Sequence, residues 1–123
     1  MDRIELGRRG EDAAAAYLER IGMVVDARNW RCPVGEVDIV ARDGDAVVFV
    51  EVKTRRSERA GSAEEAVSAT KQKRIARLAE AYLASTGGSM ESSVRFDVVA
   101  IRVFDEHRAL LRHYRAAFEV ASA

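Results

Sequence analysis

Apolar and polar positions alternate most regularly between Glu36 and Lys53. In Glu36–Arg42 an extended chain puts Glu36, Asp38 and Val40 on one side and Val37, Ile39 and Ala41 on the other. Ala46–Lys53, AVVFVEVK, is rich in β-branched residues. Asp43-Gly44-Asp45 between them is a turn signal, so the two runs predict a β-hairpin. Arg8–Ile21 has a different period: four consecutive alanines, with Ala13, Tyr17 and Ile21 recurring every four residues, predict a helix that stops at Gly22. Met23–Trp30 reads as a strand with imperfect alternation, and Arg31–Gly35, which holds the one proline, as a connection. Thr54–Ser62 is polar and basic and reads as a loop. Ala63–Ser85 reads as helix, with a break near Ser68–Thr70, Thr70 as a cap and an apolar stripe of Ile75, Leu78, Ala79, Tyr82 and Leu83. Thr86–Ser93 reads as a Gly/Ser-rich linker, and Val94–Phe104 and Leu110–Val120 as the last two strands. The order helix, three strands, helix, two strands predicts one α/β domain over residues 1–123, a mixed sheet flanked by helices.

The hairpin concentrates polar chemistry. Side chains two apart on a strand share a face, so Glu36 joins Asp38, and Glu51 joins Lys53. A loop at Gly44-Asp45 would pair Asp38 with Glu51, and a loop at Asp43-Gly44 would pair Glu36 with Glu51. Either register gathers all four on one face, with Val37, Ile39, Val50 and Val52 as the core face; a slip of one residue separates them. Three carboxylates on one face repel unless protonated or neutralised. Two readings stay open at this point. One is a solvated face with a Lys–Glu pair. The other is a hard-cation site, since Mg²⁺ takes oxygen ligands from a few carboxylates and fills its shell with water and substrate phosphates.

Composition narrows the alternatives. The 123 residues carry 20 Lys plus Arg against 20 Asp plus Glu, so the net charge is zero and gives no sign of an acidic partner by itself. The charge is unevenly distributed. Between Lys53 and Arg77 eight cations (Lys53, Arg55, Arg56, Arg59, Lys71, Lys73, Arg74, Arg77) face three acids (Glu58, Glu64, Glu65), a local excess of five. That segment suits phosphate contacts, with Arg8 and Arg9 joining it; a solvated helix face is the plainer reading. The single Cys32 leaves no internal disulfide and no cysteine-rich zinc site. His107 and His113 are expected as surface or sheet residues, Asp97 as a structural acid, and Trp30 and Tyr17 as core or edge residues. No apolar run reaches the ~20 residues a membrane span needs, and MDRIELGRRGEDAAAAYL interrupts every apolar patch with charge, so a cytoplasmic location is expected. GxSxG and nucleotide-loop patterns are missing.

The motifs GRRGEDAAAAYL, GEVDIVARDGDAVVFVEVKTR, ATKQKRI and RFDVVAI span nearly the whole chain. Together they resemble the YraN-like family of bacterial proteins, which is itself similar to Holliday-junction resolvases and the PD-(D/E)xK, restriction-endonuclease-like superfamily. The resemblance implies a resolvase-like core and metal-dependent cleavage of phosphodiesters in structured or branched DNA. It implies Asp38 as the first metal-binding acid, Glu51 and Lys53 as the ExK pair, Glu11 as the acid of the first helix and Gln72, with Lys71 beside it, as the polar residue on the following helix. The implied ligands of Mg²⁺ or Mn²⁺ are Glu11, Asp38, Glu51 and the Val52 carbonyl. The resemblance gives Lys53 and Gln72 catalytic roles, and Glu36 either tunes the site from beside it or is solvated. Arg8, Arg9, Arg55, Arg56, Arg59, Lys71, Lys73 and Arg74 are the implied nucleic-acid contacts. Glu36-Val37-Asp38 stands where the superfamily name has Pro-Asp. Fold does not fix function, so a nucleic-acid-binding module without cleavage and a structural or interaction protein remain rivals. A homodimer and a DNA repair or processing partner fit the same reading.

Overall fold

Helix α1 spans Arg3–Arg20, starting ahead of the expected Arg8. Asp2 caps it by accepting from the Glu5 N–H at 2.8 Å. The first turns are charged and exposed except for Leu6 and Gly10, so an apolar period could not mark them. The structure, a computed structural model, describes residues 2–56, 68–88 and 93–119. After α1 come β1 (Val24–Cys32), β2 (Gly35–Asp43), β3 (Ala46–Arg56), α2 (Ala69–Thr86), β4 (Val94–Val103) and β5 (Ala109–Tyr114).

The five strands form one sheet in the order β1-β2-β3-β4-β5. Strand β3 is parallel to β4, the crossover running through α2, and the other neighbours are antiparallel. This is the mixed sheet flanked by helices of a restriction-endonuclease-like core. The expected connection at Arg31–Gly35 is a second hairpin: Cys32 pairs with Gly35, leaving Pro33-Val34 as its turn. Its proline sits where no ladder hydrogen bond is needed. Asp43 pairs with Ala46, so the central hairpin turns at Gly44-Asp45.

Both faces of the sheet are covered, which corrects the single core face expected at Val37, Ile39, Val50 and Val52. Ala14, Ala15 and Leu18 of α1 pack with Ile39, Ala41, Val48, Val50, Val99 and Ile101. Ile75, Leu78, Ala79 and Leu83 of α2 pack on the other face with Val37, Val40, Phe49, Phe96 and Val98. Val37 and Ile39 thus serve opposite layers. At Gly10, α1 comes so close to β3 that an added Cβ would lie 1.9 Å from Thr54 Oγ1. The glycine sets the helix directly against the strand beside the acidic face.

Other boundaries also move. Strand β3 continues to Arg56 through its pairing with β4, which ends at Arg56↔Val103, so Thr54–Arg56 is strand rather than loop. The rest of that expected loop, with Arg59, lies outside the described residues, as do Ala63–Val67 of the expected helix. Ser68, not Thr70, caps α2, accepting from the Lys71 N–H at 3.2 Å. Gly87 ends α2 in the left-handed region with φ 85°. The last strand stops at Tyr114 instead of reaching Val120. The chain turns at Arg115-Ala116, and Phe118 stacks on Phe96 with ring centroids 5.1 Å apart. Among the described residues no helix is long and apolar enough to cross a membrane.

Candidate active site

The site begins where β2 and β3 part. Their paired residues run from Asp43↔Ala46 to Ile39↔Val50. One step further the register would set Asp38 opposite Glu51. Instead the Asp38 carboxylate itself accepts the Val52 N–H, Oδ2 to N 2.8 Å. Strand β3 stays anchored on its other side by parallel pairing with β4, including Glu51↔Val98 and Val52↔Val99. The opening between the strands becomes a groove of about 430 Å³, lined by Glu11, Asn29, Glu36, Asp38, Val52 and Lys53 among others.

Asp38 carries the clearest electrostatic imprint. Burial raises its carboxyl, and the charges of Glu51, Glu11 and Glu36 add to that against the Val52 hydrogen bond. Its pKa reaches about 7. Glu11, Glu36 and Glu51 are therefore all close enough to act on Asp38. Glu51 is already in the grip of two ammonium groups: its Oε1 lies 3.1 Å from Lys53 Nζ and 3.3 Å from Lys71 Nζ. Burial opposes the charge on Lys53, but its contacts with Lys71, Glu51 and Asp38 leave its pKa raised. Burial and the neighbouring Lys53 lower that of Lys71. Lys71 comes from the first turn of α2, with half-buried Gln72 beside it.

Glu11 reaches the groove from α1. Its Oε1 accepts from Asn29 Nδ2 at 2.8 Å and from Arg28 Nε at 3.2 Å. Arg28 also pairs with Asp12. Arg28 and Asn29 were not marked by sequence reasoning, because they lie in the strand whose alternation is least regular. Asn29 has a left-handed backbone, φ 52°, inside β1, and a polar pair in a broken alternation is the signal that could have found them. Glu36 pairs with Arg31, Oε2 to Nε 3.3 Å, at the side of the groove.

The donor chemistry suits a hard cation: every acid offers oxygen, and the repulsion on Asp38 is what a cation would relieve. The residues are not drawn into one shell, however. Among the described residues no three His, Cys, Asp or Glu side chains are grouped to hold a metal ion. Glu51 and Glu11 are turned to cations of the chain itself.

The basic residues divide into two zones. Lys53 and Lys71 are in the site, while Arg55 is half-buried and Arg56 exposed further along β3. Lys73, Arg74 and Arg77 line a second groove of about 500 Å³ with Thr70 and with Pro33 and Val34 of the β1–β2 turn. Arg8 and Arg9 are exposed on α1, and Arg9 pairs with Glu5 at 3.7 Å. The acid at Asp97 is structural, as expected: it is 1% exposed and bound by Arg95 and His113.

A helix on each face of a mixed sheet, with an acid-x-Lys strand at the point where two strands part, defines a protein with a restriction-endonuclease-like, resolvase-like core. Within that class the chain belongs to the uncharacterised protein family UPF0102, whose pattern matches residues 10–101. It is 46% identical over 117 residues to a UPF0102 protein of Nocardia farcinica, covering 95% of this chain and 91% of the relative. It is 49% identical over 116 residues to one of Geobacter sulfurreducens, covering 94% and 90% respectively. With one of Rhodococcus jostii it shares 50% identity over 115 residues, covering 94% and 97%.

Proposed function

We propose that this protein is a divalent-cation-dependent phosphodiesterase, an endonuclease acting on structured or branched DNA. The observation that carries the reading is Asp38. It is a half-buried carboxylate held at about 7 by burial and by Glu51, Glu11 and Glu36, in a groove that also holds Lys53. A structural acid would be expected to have its charge compensated by the fold. This one has a single backbone donor and no ion-pair partner of its own among three further acids, beside ammonium groups, an arrangement that suits a cation shared between protein and phosphate.

Asp38, Glu51 and the Val52 carbonyl, with Glu11 from α1, would hold Mg²⁺ or Mn²⁺. Such an ion, when bound, polarises the scissile phosphate and acidifies a water. Lys53 then offsets charge developing on the phosphate, with Lys71 a neighbour able to share that work. Gln72 orients a water or a phosphate oxygen. Arg55, Arg56, Lys73 and Arg74 hold the backbone of the nucleic acid in register, with Arg8 and Arg9 extending the surface and Arg59 following on in the sequence. Glu36 tunes the charge at Asp38 from the side.

A second reading, binding without cleavage, has its own support. Glu51 is neutralised by two lysines and Glu11 by Arg28, so the fold stands without an added ion. The test is incubation with linear, flapped and four-way-junction DNA in Mg²⁺, Mn²⁺ or EDTA, using the wild type, Glu51→Ala and Lys53→Ala. Cleavage that requires metal and falls at least 100-fold in both variants supports the enzyme. Binding without cleavage across the panel favours the module. Failure to bind any of the DNAs leaves an interaction protein with an acidic groove.

A further inference from the structure

Asn29 combines two observations. Its backbone is left-handed, φ 52°, within a strand whose flanking residues stay paired, Arg28 with Ile39 and Trp30 with Val37. That conformation is costly for residues with a Cβ and persists where the surroundings over-determine it, often at a functional site. Glycine would adopt it without strain. Asparagine is the side chain that tolerates it and still carries an amide. That amide is used: Nδ2 donates to Glu11 Oε1 at 2.8 Å, and Asn29 and Glu11 line the same groove as Asp38.

Arg28 grips the same carboxylate, but its guanidinium is divided between Glu11 and Asp12. Its Nε and Nη2 lie 3.2 Å and 3.1 Å from Glu11 Oε1, and Nη2 also reaches Asp12, so it ties together two successive acids of α1. The neutral amide of Asn29 donates a single directed hydrogen bond and adds no positive charge to what Arg28 already sets against Glu11. An aspartate there would repel Glu11, and a lysine or arginine would set a second cation beside Arg28 against it. The residue type therefore fits a group that orients a carboxylate without adding further positive charge to it.

We propose that Asn29 is a positioning residue: its strained backbone is retained so that its amide holds the Glu11 carboxylate over the groove beside Asp38. This rests on reading the groove as a cation and phosphate site. Without the tether, Glu11 Oε1 keeps only its Arg28 partner, whose Nη2 is shared with Asp12. Outer partners that orient ligands commonly contribute 10- to 100-fold to metal affinity.

The test separates strain from function by Asn29→Gly, which relieves the backbone and removes the amide. Mn²⁺ binding is measured by calorimetry and thermal unfolding is followed without metal, for the wild type, Asn29→Gly, Glu11→Gln, their double variant and Glu51→Gln. The expected result is a melting temperature for Asn29→Gly equal to or above that of the wild type, with Mn²⁺ binding about 10-fold weaker. Glu11→Gln, which leaves the β1 backbone untouched, should weaken binding by a similar factor, and the double variant should add little, because both changes remove the same contribution. Mn²⁺ binding that Glu51→Gln abolishes but Asn29→Gly leaves unchanged overturns the inference and keeps the groove as a cation site. A wild type that does not bind Mn²⁺, or binds it equally well after Glu51→Gln, overturns the cation reading and the role of Asn29 with it. Losses in the two single variants that multiply in the double variant show independent effects and also overturn the tether.

Discussion

Asp38 and Asp97 are the same residue type on the two strands that flank β3, and their surroundings drive them in opposite directions. Asp97 is fully buried and bound on both oxygens. Arg95 donates to Oδ1 at 2.9 Å and Oδ2 at 3.0 Å, the Ala116 N–H donates to Oδ1 at 3.0 Å, and His113 Nε2 lies 2.7 Å from Oδ2. Burial alone would raise its pKa, yet the His113, Arg95 and Ala116 hydrogen bonds outweigh it and hold the group at about 2. Asp38 is less buried but takes the Val52 N–H in a field of other acids, and rises to about 7. The fold gives one aspartate a guanidinium, an imidazole and an amide, and the other a single amide. Compensation marks Asp97 as a fastening between β4, β5 and the C-terminal segment. Its thinness at Asp38 is the feature on which the proposed cation site rests.

The largest effect is expected from breaking the compensated side. Asp97→Ala leaves Arg95 and His113 facing a buried void and should cost about 4 kcal/mol in urea unfolding at pH 7. The same group gives an acid limb to the stability profile. Its folded pKa lies below the unfolded value of about 3.9, so its contribution is complete above that value and disappears as the pH falls towards 2. That limb amounts to about 2 kcal/mol. A variant no less stable than the wild type would remove the distinction between the two aspartates.

The opposite sign is expected on the other side. The raised pKa of Asp38 makes the folded state bind the proton more tightly than the unfolded chain does. Stability is therefore lost as the pH rises from about 4 through about 7 and is then level. Asp38→Asn should leave stability unchanged near pH 3.5 and raise it by about 4 kcal/mol at pH 8. The amide oxygen can still accept from the Val52 N–H. Denaturant unfolding of both proteins across that range reads the effect directly. A gain independent of pH would mean that Asp38 is not held up by its neighbours.

The contrast explains what could be read from the chain and what could not. The hairpin was legible because alternation and a turn dipeptide are local, and it brought Asp38, Glu51 and Lys53 to one region of the sheet. Its register was open between two loops until Asp43 met Ala46. The extension of β3 to Arg56 was not legible, since it depends on parallel pairing with residues nearly fifty positions away. The start of α1 carried a readable signal in Asp2 and Glu5, an acid three residues before a second acid at a helix start, but apolar spacing alone passed over it. The contacts of Glu11 with Arg28 and Asn29, and the service of Val37 and Ile39 to opposite layers, arise where β1 and β2 depart from regular geometry. Period-two reasoning assumes that such departures are absent.

The finest test of the comparison is at the far end of the Asp97 network. Ionised Asp97 can only accept, so His113 Nε2 carries a proton, and the Nδ1 of a neutral ring accepts from the Tyr17 hydroxyl at 3.0 Å. Tyr17 comes from α1, so this hydrogen bond links the helix bearing Glu11 to the same buried charge. Tyr17→Phe keeps the ring and its edge-on packing against His113, with centroids 5.4 Å apart, and removes the hydroxyl alone. The expected cost is about 1 kcal/mol in denaturant unfolding, the value of one neutral hydrogen bond with an acceptor left unpaired. It should leave the pH-dependent gain of Asp38→Asn unaltered, because the two groups share no partner and such changes add. If Tyr17→Phe shifted the pH midpoint of that gain, the fastening and the open site would be one electrostatic unit, and the separation drawn between the two aspartates would fail.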